Sequence, residues 1–238
     1  VDWKFIDDNP RDWEKGHIPG VDGAGVVVAV GEGVDDGLLG RRVAYHHSLG
    51  ENGSFADHSE VYASRVMVVP ESVDFALAAA LPCPMLTAWQ AFSKVPVRDG
   101  ADVLVSGMGA VNKLLAQILS QAGFDVHVIS GSFTQEQADE MGVKAIHRGK
   151  PEGQTFYALF DANGPDYAAS LVPLLEANGH VVSILGRIEA PIDAPFTRTI
   201  SYHEIALGAL HDYGDLSQWL RLVKDGEALL EQVAVQRL

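Results

Sequence analysis

The sequence predicts an α/β protein, with a small, sharply bent β section followed by a doubly wound parallel sheet. Three observations carry that prediction. From about residue 93, short apolar strands alternate with single helices, the pattern of a parallel sheet covered on both faces. One of those strands, Val103-Leu104-Val105-Ser106, runs directly into two closely spaced glycines, Gly107 and Gly109, ahead of a helical repeat. Before residue 82 the chain instead shows β-branched runs punctuated by glycine, as a small barrel of sharply bent strands requires.

The elements follow in order. Val26-Val27-Val28-Ala29-Val30-Gly31 reads as a strand closed by glycine, and Arg42-Val43-Ala44-Tyr45-His46 as a second. Gly53 to His58 is a loop, Val61-Tyr62 a strand, and Val66 to Pro70 a further strand after a turn. Ser72 to Ala80 has helical character that Pro82 and Pro84 interrupt, and Thr87 to Phe92 opens the next helix. Strands are expected at 103–106, 126–130, 145–147, 156–161 and 180–185, and helices at 111–122, 134–141 and 166–176. Ile200 to Leu207 adds an edge strand. Leu216 to Lys224 is a helix with Leu216, Trp219, Leu220 and Val223 on one face. This organisation divides the chain into 1–82, 83–212 and a returning segment 213–238.

Composition narrows the function classes. The 238 residues are 47% hydrophobic, enough for a substantial core. The formal charge of −15, from 32 acids against 17 bases, argues against nucleic acid or an anionic membrane as partner. No apolar run is long enough to span a bilayer. The one cysteine, Cys83, excludes an internal disulfide framework and points to a reducing cytoplasm. The chain opens at Val1 in mid-pattern, so its start is expected upstream.

The glycine turn carries the chemistry. Leu114, Leu115, Ile118, Leu119 and Ala122 recur at helical spacing behind it, and Val126-His127-Val128-Ile129 follows as the next strand. In that context the first glycine permits a tight turn, and the second lets backbone amides approach a pyrophosphate at the positive end of the helix. Asn112 stands where a third glycine would allow close packing, so the helix is expected slightly farther from the sheet. A carboxylate about 20 residues past the first glycine would bind the ribose hydroxyls of NAD. The second strand ends instead in Ile129-Ser130-Gly131-Ser132; Asp125 lies at the wrong end and Glu136 inside the next helix. Ser130 and Ser132 can donate to a 2′-phosphate, with the Gly131 amide beside them and Arg148 able to reach over from beyond the third strand. This favours NADPH over NADH.

The order of Pro19-Gly20-Val21-Asp22-Gly23-Ala24-Gly25-Val26-Val27, Gly40-Arg41-Arg42-Val43-Ala44, Gly53-Ser54-Phe55-Ala56, Ala79-Ala80-Leu81-Pro82-Cys83 and Leu86-Thr87-Ala88-Trp89, then the glycine turn, resembles the medium-chain dehydrogenase/reductase family. The likeness is to its zinc-independent, quinone-oxidoreductase-like members and covers nearly the whole chain. It implies a GroES-like β-barrel catalytic domain over 1–82 lacking its first strands, a Rossmann domain over 83–212, and an incomplete C-terminal return over 213–238. Opening Val1-Asp2-Trp3-Lys4 is similar to the end of the family's Asn-Pro-Val-Asp pattern. Zinc-using members carry a His-Glu pair where this chain has Val21-Asp22, and an isopropyl group cannot ligate a metal. Cys83, at another ligand position of those members, then reads as a buried thiol. His46 and His47 point to opposite faces of their strand and cannot aim at one ion. No zinc is therefore expected.

The resemblance further implies cofactor contacts from the Ala110 and Val111 amides at the helix start, and contacts near the nicotinamide from Thr87, Asn163, Gly164, Leu185 and Gly186. Without a metal, a hydride acceptor has to be polarised by hydrogen bonds or by its own conjugation, which suits quinones and enones oriented in a dry cleft. Lys4, Tyr45 and Ser48 are the candidate donors, and Trp3, Phe5 and Trp13 candidate pocket walls. The reading is an NADPH-dependent, zinc-independent oxidoreductase acting on a small molecule, dimeric through an edge strand at Ile200 to Leu207. Two alternatives stay open: a zinc-containing alcohol dehydrogenase-like enzyme, and a nucleotide-binding redox sensor or structural protein without turnover.

Overall fold

Continuous apolar runs dictate the larger sheet. In the computed structural model, which describes residues 2–8 and 12–238, strands β4 (Asp102–Ser106), β5 (Asp125–Ile129), β6 (Ala145–His147), β7 (Phe156–Asp161), β8 (Leu175–Ser183) and β9 (Ser201–Glu204) form one six-stranded sheet. Its order is β6-β5-β4-β7-β8-β9, every pair parallel. All six residues of β7 are buried, as a central strand covered on both faces requires. Chain direction reverses at β4: the path runs outward to β5 and β6, then returns to β7 on the other side. That reversal makes the carboxyl ends of β4 and β7 the place where such sheets take ligands.

This sheet belongs to a unit spanning Thr87–Ala206. Helices α4 (Ala110–Gln121), α5 (Gln135–Glu140) and α6 (Pro165–Leu171) form its crossovers. Right-handed crossovers put α4 and α5 on one face and α6 on the other. Leu115, Ala116, Ile118 and Leu119 of α4 are buried against the sheet. A capping box on Thr134 and Gln137 starts α5.

A second unit comprises Val1–Leu86 with the returning Leu207–Leu238. Its antiparallel sheet is β1 (Asp22–Val26), β2 (Arg42–His46) and β3 (Val66–Val68), with β2 central. Around it stand α1 (Asp2–Asp8), α2 (Phe75–Ala80), the start of α3 (Pro82–Phe92), α7 (Ala209–Tyr213) and α8 (Leu216–Ala234). Asp215 caps α8 in a box with Gln218, and the buried face presents Trp219, Leu222, Gly226, Leu229 and Leu230. A Cβ on Gly226 would meet Leu86 at 2.9 Å and press on Met67, so glycine is what lets the helix lie so close.

Several elements depart from expectation. The strand predicted over Val26–Gly31 lies earlier, at Asp22–Val26. The ladder closes where Val27 N–H donates to Arg41 and Gly40 N–H donates to Val27, and Val28 is 69% exposed. Val61-Tyr62 is not a strand, because β2 already pairs with β1 on one side and β3 on the other. The helix before Pro82 ends at Ala80 as expected, but Pro82 and Pro84 then open α3, five residues ahead of the expected Thr87, because a missing N–H costs nothing in a first turn. The helix expected to reach residue 176 ends at Leu171, passes through a 3-10 turn (Val172–Leu174) containing Pro173, and becomes β8 at Leu175. Helices α1 and α7 were not expected, and α8 runs ten residues beyond its predicted end at Lys224, to Ala234.

Candidate nucleotide-binding and active site

The turn after β4 is built for a close approach. Gly107 has φ +82°, and a Cβ there would lie 2.8 Å from the Asn163 side chain. Gly109 caps α4 with φ −79° and ψ −175°, no side chain occupies the cap, and a Cβ would meet nothing within 4 Å. The open space at Gly109 and the uncapped amides of Ala110 and Val111 suit a pyrophosphate. Asn112 does not hold the helix off, as its size suggested. Its buried amide donates to the carbonyls of Ser106 at 2.9 Å and Gly107 at 2.6 Å, tying the helix to the turn.

A residue the sequence reading missed fastens two strand ends together. Asp161, buried at the tip of β7, accepts from the Ser106 hydroxyl through Oδ1. Its Oδ2 accepts from the amides of Asn163 at 3.0 Å and Gly164 at 2.9 Å. Asn163 and Gly164 therefore stand beside Gly107, with Gly164 at φ +117° heading α6. Leu185 is exposed past the end of β8, and Gly186 follows at φ +73°, where a Cβ would lie 3.2 Å from Pro165.

At the tip of β5 the Ser130 hydroxyl accepts from the Phe133 amide at 3.1 Å. Ser132 is exposed, and Arg148 donates to the Ser130 carbonyl at 2.7 Å. The structure thus brings Ser130, Ser132 and Arg148 to one loop. Together with Gly107, Gly109, Ala110, Val111, Asn163 and Gly164, these residues fit a dinucleotide along the carboxyl edge of the sheet. Thr87 lies half-buried in α3.

The other unit holds the remaining candidates. Val21 is buried and donates its amide to Asp2 at 2.8 Å. Asp22 accepts from the Cys83 amide at 2.9 Å. Burial pushes the Asp22 carboxyl up to about 7, opposed by the Cys83 amide and reinforced by the Asp2 charge. The Tyr45 ring lies over Gly23, where a Cβ would clash with it, and edge-on to His47. Ser48 is buried and accepts from the Gly50 amide at 3.1 Å. His47 bonds the Glu60 carbonyl at 3.0 Å, whereas His46 bonds His211 at 2.8 Å, so the two neighbours face different partners. Trp13 donates to the Leu49 carbonyl at 2.8 Å and stands 6.2 Å from Phe5. The backbone of Lys4 and Trp3 lies in α1, but both side chains fall outside the described residues. Among the described residues, no group of three or more His, Cys, Asp or Glu side chains is placed to hold a metal ion. No helix of the described residues is long and apolar enough to cross a membrane.

No family model matches the chain. A probable quinone oxidoreductase of Schizosaccharomyces pombe is 31% identical over 193 residues, covering 75% of this chain and 57% of that protein. A zinc-type alcohol dehydrogenase-like protein of the same yeast is 32% identical over 136 residues, covering 48% of this chain and 39% of that protein. An alcohol dehydrogenase superfamily protein from Novosphingobium aromaticivorans superposes with a TM-score of 0.79 at 26% identity, over 93% of this chain and 70% of that one. The chain belongs to the medium-chain dehydrogenase/reductase (alcohol dehydrogenase) superfamily. It spans less than two thirds of the length of either yeast relative. Asn112, at the position of the third glycine, binds the turn it interrupts.

Proposed function

We propose that this chain carries the nucleotide site and most of the catalytic unit of a zinc-independent NADPH-dependent oxidoreductase acting on quinones, enones or related conjugated carbonyls. The carrying observation is the Gly107–Gly109 turn at the head of α4, one strand away from a serine loop held by Arg148. Bound nicotinamide supplies a hydride. The chain's own residues bind and orient: the amides after Gly109 take the diphosphate, and Asn163 and Gly164, set by Asp161, border the nicotinamide side. Ser130, Ser132 and Arg148 take the 2′-phosphate. A zinc site lacks a fitting donor set among the described residues, where no three His, Cys, Asp or Glu side chains gather and Val21 offers no donor beside Cys83.

Cofactor titration tests the reading, with NADPH expected to bind more tightly than NADH. Ser130→Asp should sharpen the test. An aspartate can still accept from the Phe133 amide, so the loop keeps its shape while a negative charge meets the 2′-phosphate. NADPH should bind at least about tenfold more weakly, or 1.4 kcal/mol, with NADH unchanged. Equal weakening of both cofactors would contradict the assignment of this loop.

Reduction of a conjugated carbonyl also consumes a proton. Burial raises the Asp22 carboxyl to about 7, which makes it a candidate proton donor alongside Lys4 and Tyr45. If the protonated form is the active one, turnover falls as pH rises through about 7. Asp22→Asn should remove that limb while leaving NADPH affinity unchanged. A limb that survives in the variant belongs to another group.

A further inference from the structure

In the unit built on β1–β3, two imidazoles and a guanidinium form a chain that the reaction does not use. His46 of β2 places Nδ1 2.8 Å from Nε2 of His211 on α7. Arg65, at the end of the 3-10 turn Ala63–Arg65, places a guanidinium nitrogen 2.9 Å from Nδ1 of His211. The guanidinium lies over the rings of Tyr62 at 4.3 Å and Trp219 at 4.9 Å, and His211 stands 4.8 Å from Trp219. Trp219 in turn donates to the Leu210 carbonyl at 3.0 Å, fastening α8 to α7.

We propose that His46, His211 and Arg65 form a proton-sensitive clasp, which holds the α7–α8 segment to β2 while both imidazoles are neutral and releases it when either takes up a second ring proton.

The bond chain fixes both tautomers. A guanidinium only donates, so His211 Nδ1 accepts and carries no proton. A neutral His211 then bears its hydrogen on Nε2, which donates to His46 Nδ1, and His46 bears its own on Nε2. An extra proton on His211 would point an N–H at the Arg65 donor. An extra proton on His46 would point one at the His211 donor. Either event replaces a hydrogen bond by a donor–donor contact and adds a positive charge beside the guanidinium.

The surroundings agree. Arg65 and His47, just past the end of β2, both oppose charge on His211, whereas Asp212 of α7 favours it. On α8 the indole of Trp219 faces the clasp, and Glu227 farther along accepts from the Val68 amide of β3 at 2.8 Å. Burial, then His211 and His47, lower His46 to about 3; burial, then Arg65, lower His211 to about 4. The pair His127–His147 differs, because the Asp102 carboxylate accepts from His127 at 2.9 Å and can balance an added proton.

Ring-nitrogen NMR of the intact chain tests the proposal without a variant. At pH 7 both His46 and His211 should be the Nε2–H tautomer, and neither should titrate above about pH 5. Between about pH 5 and 3, both should protonate together as amide protection is lost across α7, with β4 to β8 still protected. A ring titrating near 6.5, an Nδ1–H tautomer on either residue, or α7 protection that persists with both rings charged would overturn it. Arg65→Leu removes the neighbouring charge and donor, so the His211 midpoint should rise by at least about one pH unit. An unmoved midpoint would overturn the part assigned to Arg65.

Discussion

Gly109→Val is expected to leave the fold standing while weakening NADPH binding at least about 100-fold, or 2.7 kcal/mol. The position is backbone-compatible with valine, because φ −79° and ψ −175° is extended conformation that a β-branched residue adopts readily. A Cβ there meets no protein atom within 4 Å, so nothing has to move to admit it. Stability should change by less than about 1 kcal/mol, the scale of an altered N-cap. The empty space around Gly109 has one use in the proposed site, the approach of a pyrophosphate to the amides of Ala110 and Val111. Gly107→Ala is the contrasting variant. It forces a side chain onto φ +82° and brings a Cβ to 2.8 Å from Asn163. It should cost about 1–2 kcal/mol of stability from the left-handed backbone alone. Urea unfolding and a fluorescence titration with NADPH separate the two glycines. A Gly109→Val protein that folds and binds NADPH within threefold of the parent would remove the diphosphate from this turn.

Much of the sheet was legible because burial on both faces writes itself as unbroken apolar sequence. The strands at 145–147 and 156–161 match the expected bounds, and β7 is buried at every position. The glycine turn was legible for a related reason, since a left-handed backbone or a close approach leaves little choice of residue. Legibility failed where a distant partner decides the local shape. Leu175 to Gly179 reads as helix and loop, yet it is strand because Arg198 donates to the Leu175 carbonyl and its own carbonyl accepts from Asn178. Asn112 was visible as a departure from pattern, but not as the side chain that binds the turn it interrupts. Asp161 acts on Ser106, 55 residues earlier, and no local spacing announces that pairing. His211 reaches His46 across 165 residues and was not read at all.

Asp161→Ala should be the most damaging single substitution in the nucleotide unit. Its carboxylate is 1% exposed and accepts from three donors, the Ser106 hydroxyl and the amides of Asn163 and Gly164. Removing it leaves the buried Ser106 hydroxyl and Gly164 amide without a partner at the tips of two central strands, each costing about 1–3 kcal/mol, while the Asn163 amide can turn to water. The two share one acceptor and will not add fully, so a loss of about 3 kcal/mol is expected. Water cannot repair the site cheaply, because Ser106 is itself completely buried. Asp161→Asn should recover only part of the loss: one amide oxygen can still accept, but the NH₂ group is turned toward other donors. The same carboxylate sets Asn163 beside Gly107, so NADPH affinity should fall in both variants even where they remain folded. Urea midpoints and NADPH titrations on the two proteins distinguish the outcomes. If Asp161→Ala unfolds within 1 kcal/mol of the parent and binds NADPH equally well, the strand tips are held by packing alone. If it is destabilised with binding intact, the carboxylate fastens the sheet but does not shape the nicotinamide side.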